Sequence, residues 1–138
     1  MTHRDRLTVV IAACNEQDAL PLLHQRLGAE LDRLPDIDGR VLYVDDGSTD
    51  ATWSLMQQLA AGDPRVAALR LSRNFGKEAA LTAGLDLVDE GAALILDADG
   101  QDPPELIAQF VALWRQGHDD GYGVRLAREG DGWVKRAT

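Results

Sequence analysis

The chain has 138 residues, the size of one ordinary domain, and 45% of them are hydrophobic, enough for a core in a chain that should bury roughly two-thirds of its unfolded surface. Asp and Glu number 23 against 14 Lys and Arg, a formal net charge of -9, and the basic residues form no stripe. Nucleic acid is excluded as a first expectation, because binding it draws on clustered cations, and an acidic protein that handles a polyanion needs a local device such as a metal ion or placed arginines.

Cys14 is the only cysteine, so neither an internal disulfide nor a cysteine-rich zinc site can be built. The apolar run LTVVIAA is too short to span a membrane and lacks a signal-peptide cleavage pattern. Four apolar runs, Leu7 to Ala13, Val41 to Val44, Val66 to Leu71 and Ala92 to Leu96, alternate with segments of helical period. That alternation predicts a mostly parallel sheet with crossover helices, its first and last runs apolar enough for central strands.

The first predicted helix carries Leu20, Leu23, Leu27 and Leu31 on one stripe, and the second carries Trp53, Met56 and Leu59 or Ala60. A third would bury Ala80, Ala83, Gly84, Leu87 and Val88. The fourth has Asp102 as its cap, Pro103 in its first turn, Glu105 at a capping-box spacing, and Leu106, Phe110 and Trp114 on its buried face. From Asp119 to Thr138 the composition shifts to four glycines and four basic residues, read as a fifth strand over Gly121 to Leu126 and an unfinished segment.

Chemistry gathers after each strand. Asn15 and Glu16 follow the first, at the edge where open α/β sheets bind ligands, although Asn15 could cap the helix and Glu16 favour its positive end. In YVDDGSTD, Asp45 and Asp46 can accept hydrogen bonds from a ribose or base beside the tight turn at Gly47, whereas Ser48, Thr49 and Asp50 read as turn and cap residues. Lys77 falls in the first turn of the third helix, against the dipole, which points to an anionic partner or to a salt bridge with Glu78 or another carboxylate. In ILDADGQDPPE, Asp97 and Asp99 can aim at one cation with Gln101 supplying an uncharged oxygen, a donor set for Mg²⁺ or Mn²⁺; a solvated acidic loop is the bland alternative.

Other devices fit less well. The first loop has neither GxGxxG nor GxxxxGK[ST], and an EF-hand begun at Asp97 would need Gly and an acid where Asp102 and Ala108 stand. An aspartyl-nucleophile phosphatase stays open from LDADG, with Gln101 where a hydroxyl would be welcome. His3, His24 and His118 lack ligand spacing and are expected on the surface.

CNE, YVDDGSTDAT, RNFGKEAALTAG, LDADGQDPPE and YGVRLAR, in this order across about residues 7 to 128, resemble the family 2 glycosyltransferases with the GT-A fold. The nearest subgroup is that of the dolichyl-phosphate mannosyltransferases and bacterial polyprenyl-phosphate glycosyltransferases. The resemblance implies an α/β/α sandwich on a mostly parallel sheet. It also implies a nucleotide-sugar pocket from Ala12, Cys14, Asn15, Glu16, Val44, Asp45 and Asp46, with Lys77 in a matching motif. Asp97, Ala98 and Asp99 would form the DxD motif, Gln101 would complete the metal set, and Arg125 would hold phosphates.

The implied reaction is metal-dependent, inverting transfer from a UDP- or GDP-sugar to a polyprenyl phosphate. Asp97, Asp99 and Arg125 would carry the catalysis, and an acceptor phosphate ionised near pH 6 would need no strong base. A soluble or polysaccharide acceptor and a non-catalytic nucleotide-binding remnant are the competing readings. The first loop departs from PxYNE at Ala12 and Cys14, the metal loop from DxDLQDPPE at Gly100, and Gly121 replaces a β-branched residue. Residues 1–138 therefore read as the donor-binding part of a larger GT-A domain, incomplete at its C-terminus, with 119–138 beginning the acceptor side. Membrane association at the cytoplasmic face is expected of the full-length protein, and homo-oligomerisation is left open.

Overall fold

The computed structural model describes residues 5–98, 103–116, 124–125 and 133–137. The element order is β1 (Asp5–Ala13), α1 (Leu20–Asp32), β2 (Ile37–Asp45), α2 (Thr52–Gly62), β3 (Val66–Arg70), α3 (Lys77–Leu85), β4 (Gly91–Asp97), α4 (Leu106–Arg115), β5 (Val124–Arg125) and β6 (Trp133–Ala137). They form one sheet in the order β3-β2-β1-β4-β6-β5. The first four strands in chain order run parallel, in register Val9 with Val41 and Val9 with Leu94, while β6 is antiparallel to β4 and to β5.

Strand β1 feeds β2 on one side, and the chain then returns through α3 to place β4 on the other side. Right-handed crossovers on both sides put α1 and α2 on one face and α3 on the opposite face. The two buried clusters record this division. Leu7, Val9, Ile11 and Tyr43 pack with the stripes of α1 and α4 and with Met56 of α2, whereas Val10, Leu42, Val44, Ala93 and Ile95 share a cluster with Ala80 of α3. A Cβ on Gly84 would stand 2.8 Å from Val10 Cγ1 and 2.9 Å from Val44 Cγ2, so its absence lets α3 lie close on the sheet. The boundary between β1 and β4 is the switch point of the sheet, where the crossovers diverge and a crevice opens beyond the strand ends.

All four leucines predicted for the α1 stripe are buried, as are Leu106, Phe110 and Trp114 of α4. Several local expectations change. Helix α4 starts only at Leu106, with Glu105 as an N-cap that makes no side-chain cap bond; Glu105 instead pairs with Arg26 at 2.7 Å. Pro103 and Pro104 precede the helix, accepting hydrogen bonds from the Leu106 and Ile107 N–H groups, and Asp102 lies outside the described residues. Helix α3 ends at Leu85, which leaves Leu87 58% exposed rather than buried. In α2 Met56 is buried, while Trp53, Leu59 and Ala60 are partly so. Of the predicted fifth strand, Val124–Arg125 is described, and β6 is an additional strand in the segment that sequence reading left unfinished.

His24 is only partly on the surface, with 16% of its side chain exposed. Its Nδ1 lies 2.7 Å from the buried Tyr43 hydroxyl and its Nε2 lies 3.8 Å from Asp63, which favours a proton on Nε2 and a Tyr43 O–H donated to Nδ1. Burial holds this imidazole below its ordinary 6.5, with the nearby Asp63 pulling the other way. The unfolded chain therefore binds that proton more tightly than the folded one. The corresponding stability is present above about pH 6.5 and is lost as the pH falls through the lowered folded value. Further acidification reaches Asp38 and Asp63, both held below 3.8 by hydrogen bonds from Arg40 and Arg65 respectively. Melting temperatures of His24→Gln should fall less between pH 7 and pH 5 than those of the parent; parallel curves would contradict this assignment.

Candidate functional site

At the C-terminal ends of β1, β2 and β4 lies a cavity of ≈ 180 Å³ lined by Ala12, Ala13, Cys14, Glu16, Asp46, Lys77, Asp97 and Ala98. Its volume is below the ~300–1,000 Å³ of pockets that enclose a whole drug-sized ligand, so it fits one polar portion of a larger molecule. Asp97 closes β4 and Ala98 follows it, both largely buried, so the strand end fixes where that carboxylate sits. Lys77 reaches across from the start of α3, and its ammonium pairs with Asp97 Oδ1, which settles the sequence alternatives for its salt bridge in favour of a neighbouring carboxylate.

The loop after β1 is tied to the loop after β2. Asn15 has a φ of 56°, in the left-handed region, and its Oδ1 accepts hydrogen bonds from Thr49 N–H at 2.9 Å, Thr49 Oγ1 at 3.3 Å and Asp50 N–H at 3.3 Å. The Asn15 N–H donates to Ser48 Oγ, the Glu16 N–H to Thr52 Oγ1, and the Ala51 N–H to Gln17 Oε1, each at 2.9 Å. Helix α1 has Ala19 as its N-cap and no side-chain cap bond, so Asn15 does not cap it. The side chain serves the turn into α2 instead. Ser48 and Thr49, read from sequence as turn and cap residues, are also partners that position the first loop, with the run DGSTD as the available signal; Thr52, which sequence reading did not single out, is a third.

The adjacent aspartates at the end of β2 and just after it diverge. Asp46 lines the cavity, and its Oδ1 accepts the Phe75 N–H at 2.8 Å, anchoring the loop between β3 and α3. Asp45 is fully buried outside the cavity lining; its Oδ1 accepts the Ser48 N–H at 3.2 Å. Its Oδ2 is the buried side-chain oxygen without a hydrogen-bond donor among the described residues, and lies 3.5 Å from Arg70 Nε. Arg70 also stands over the Trp53 ring at 5.7 Å. A second hollow of ≈ 470 Å³ adjoins this pair, lined by Gly47, Ser48, Arg70, Leu71, Ser72 and Arg73.

Of the residues proposed from sequence, Ala12, Cys14, Glu16, Asp46, Lys77, Asp97 and Ala98 are brought together around one cavity. Val44 lies in the core against α3, and neither the exposed Asn15 nor the buried Asp45 lines the cavity. Cys14 Sγ accepts from Asn74 Nδ2 at 3.3 Å. Asp99 and Gln101, like Gly100 and Gly121, lie outside the described residues. Arg125 pairs with Trp133, which pairs with Ile95, so the register sets Arg125 level with a residue near the C-terminal end of β4. Among the described residues no three His, Cys, Asp or Glu side chains converge on a cation position, and no helix is long and apolar enough to cross a membrane.

Comparison with known proteins gives the same edge of the sheet a lineage. Residues 8–138 match the family described as Glycosyl transferase family 2. A bactoprenol glucosyl transferase of Shigella phage SfX is 38% identical over 133 residues, covering 96% of this chain and 43% of that protein. An uncharacterized glycosyltransferase of Synechocystis is 42% identical over 132 residues, covering 96% and 41%. The chain thus spans about two-fifths of the length of these curated relatives. Among solved structures, S. aureus TarS 1-349 superposes with a TM-score of 0.68 at 17% identity over 95% of this chain and 47% of that one. A mannosyltransferase from Pyrobaculum calidifontis, solved with GDP-Man and Mn2+, gives 0.67 at 23% over 98% and 45%. The parallel sheet, its switch-point cavity and the sequence match agree: the chain belongs to the family 2 glycosyltransferases and has their GT-A fold.

Proposed function

We propose that residues 1–138 form the donor-binding part of an enzyme that transfers a sugar, with inversion, from a UDP- or GDP-linked donor to a polyprenyl phosphate, and that 119–138 lead into its acceptor side. The observation that carries the donor half is the switch-point cavity, with Glu16, Asp46 and Asp97 beside Lys77. Hard carboxylate oxygens at a fixed strand end suit Mg²⁺ or Mn²⁺, and Asp97 with Asp99 and Gln101 would hold the ion. A divalent cation bound there would offset the negative charge that develops on the departing nucleoside diphosphate.

This chain's own residues do the rest. The first loop, held by Asn15, presents Cys14 and Glu16 to the donor, while Asp46 offers an acceptor oxygen to the nucleoside and the buried Asp45 holds the Ser48 turn beside it. Arg125, placed on β5 beyond β6, would supply a cation for the phosphates. A phosphate acceptor is already charged at neutral pH, so no strong general base is required of the protein. The acceptor reading is supported by the relatives named bactoprenol glucosyl transferase; with a lipid acceptor, the full-length enzyme would work at the membrane, and we take its cytoplasmic face as part of the same proposal.

With the full-length protein, labelled sugar from a UDP- or GDP-sugar is expected to move into the organic phase when polyprenyl phosphate is supplied. Label that accumulates only in water-soluble glycan would refute the lipid acceptor. Asp99→Asn should weaken Mn²⁺-coupled nucleotide binding roughly tenfold, as expected for losing one charged ligand bond; unchanged coupling by calorimetry would remove Asp99 from the metal set.

A further inference from the structure

Lys77 occupies an unfavourable place for a cation. It is the first residue of α3, where the helix dipole presents positive charge, and the N-cap, Gly76, has no side chain to offset it. Among the described residues lining the cavity it is the one cation, facing Glu16, Asp46 and Asp97. Its partner Asp97 is fixed at the end of a buried strand with 11% of its side chain exposed, whereas the Lys77 side chain is 57% exposed. The pair therefore joins an exposed ammonium on a flexible stem to a largely buried carboxylate at a strand end, and the ammonium is the partner that can leave.

We propose that Lys77 is a displaceable counter-ion: it pairs with Asp97 at the edge of the cavity, and yields that carboxylate when a hard divalent cation binds. This rests on the reading of Asp97 as a metal-side carboxylate. Released from Asp97, the ammonium stays within reach of the cavity and becomes a cation for the anionic ligand that arrives with the metal. Its effects on the two ligands have opposite signs. Lys77 lowers metal affinity before nucleotide binds, and raises affinity for the nucleotide afterwards.

The test is a titration of Mn²⁺ into the full chain without nucleotide, following the free aquo ion by electron paramagnetic resonance. Lys77→Met is expected to bind Mn²⁺ roughly fivefold tighter than wild type, the size set by a partly exposed ion pair, while Lys77→Arg stays near wild type. In an Asp97→Asn background the same Lys77→Met change should give no gain, which separates a specific pair from a general charge effect. Unchanged or weaker Mn²⁺ binding by a folded Lys77→Met protein overturns the proposal, as does an equal gain in the Asp97→Asn background. If wild type shows Mn²⁺-dependent nucleotide binding and Lys77→Met leaves the metal isotherm unchanged, the counter-ion role fails and the donor site stands. Absence of Mn²⁺ binding in every variant overturns both.

Discussion

Gly47→Ala is expected to destabilise the protein by roughly 2–5 kcal/mol and to disturb the candidate site at the same time. Gly47 has a φ of 72°, a region where an L-residue costs about 1–2 kcal/mol. A Cβ there would also stand 2.3 Å from Asn74 N and 2.5 Å from the Arg73 carbonyl carbon. Both are backbone atoms of the loop that Asp46 anchors through the Phe75 N–H, so no side-chain rotation relieves the contact. Overpacking of this kind adds about 1–3 kcal/mol. Gly62→Ala is the control, because its Cβ would meet nothing within 4 Å. Urea denaturation should show a large fall in midpoint at unchanged slope for Gly47→Ala and little change for Gly62→Ala. A Gly47→Ala loss below about 0.5 kcal/mol would contradict the close approach, since that is the range of featureless surface substitutions.

Asn15→Ala carries the second large effect, about 2 kcal/mol. Alanine loses the acceptor for Thr49 and Asp50 and must adopt the left-handed backbone that asparagine tolerates better. The lost bonds are exposed, so water replaces part of them and each contributes toward the lower end of the usual 0.5–1.5 kcal/mol. Variants separate the two causes. Asn15→Asp keeps an acceptor oxygen and a tolerant backbone and should recover most of the stability, whereas Asn15→Gly recovers the backbone alone. Nucleotide affinity should follow the acceptor, because the acceptor holds the loop that bears Cys14 and Glu16. Equal affinity for Asn15→Gly and Asn15→Asp, in a protein where wild type binds, would show that the inter-loop tie does not shape the site.

The four parallel strands and the faces of α1 and α4 were legible because burial on both sides leaves an apolar run, and burial on one side leaves a stripe of period near 3.6. The start of α4 was misjudged because a capping-box spacing specifies a bond only when no better partner competes, and Arg26 is such a partner for Glu105. Leu87 was assigned to a stripe that stops once α3 ends at Leu85. Contacts that close over long sequence separations left no local trace. His24 meets Tyr43 from another element and Asn15 meets Thr49 across two loops, whereas the Lys77 salt bridge was legible as a kind of contact and only its partner, Asp97 at the end of β4, was not. Around the cavity, Glu16, Asp46 and Asp97 were visible from one rule, that chemistry collects after the strands of an open parallel sheet; Lys77 stood out against the helix dipole, and Ala12, Cys14 and Ala98 followed only from the family resemblance.

The central claim is that this cavity, with Asp97 at the end of β4, is a metal-assisted site for a nucleoside diphosphate. Calorimetric titration of UDP and of GDP into the folded chain, with and without Mn²⁺, tests it most directly. The account predicts that at least one of the two binds and that Mn²⁺ tightens the binding. Failure of both nucleotides to bind, with and without the ion, would contradict it.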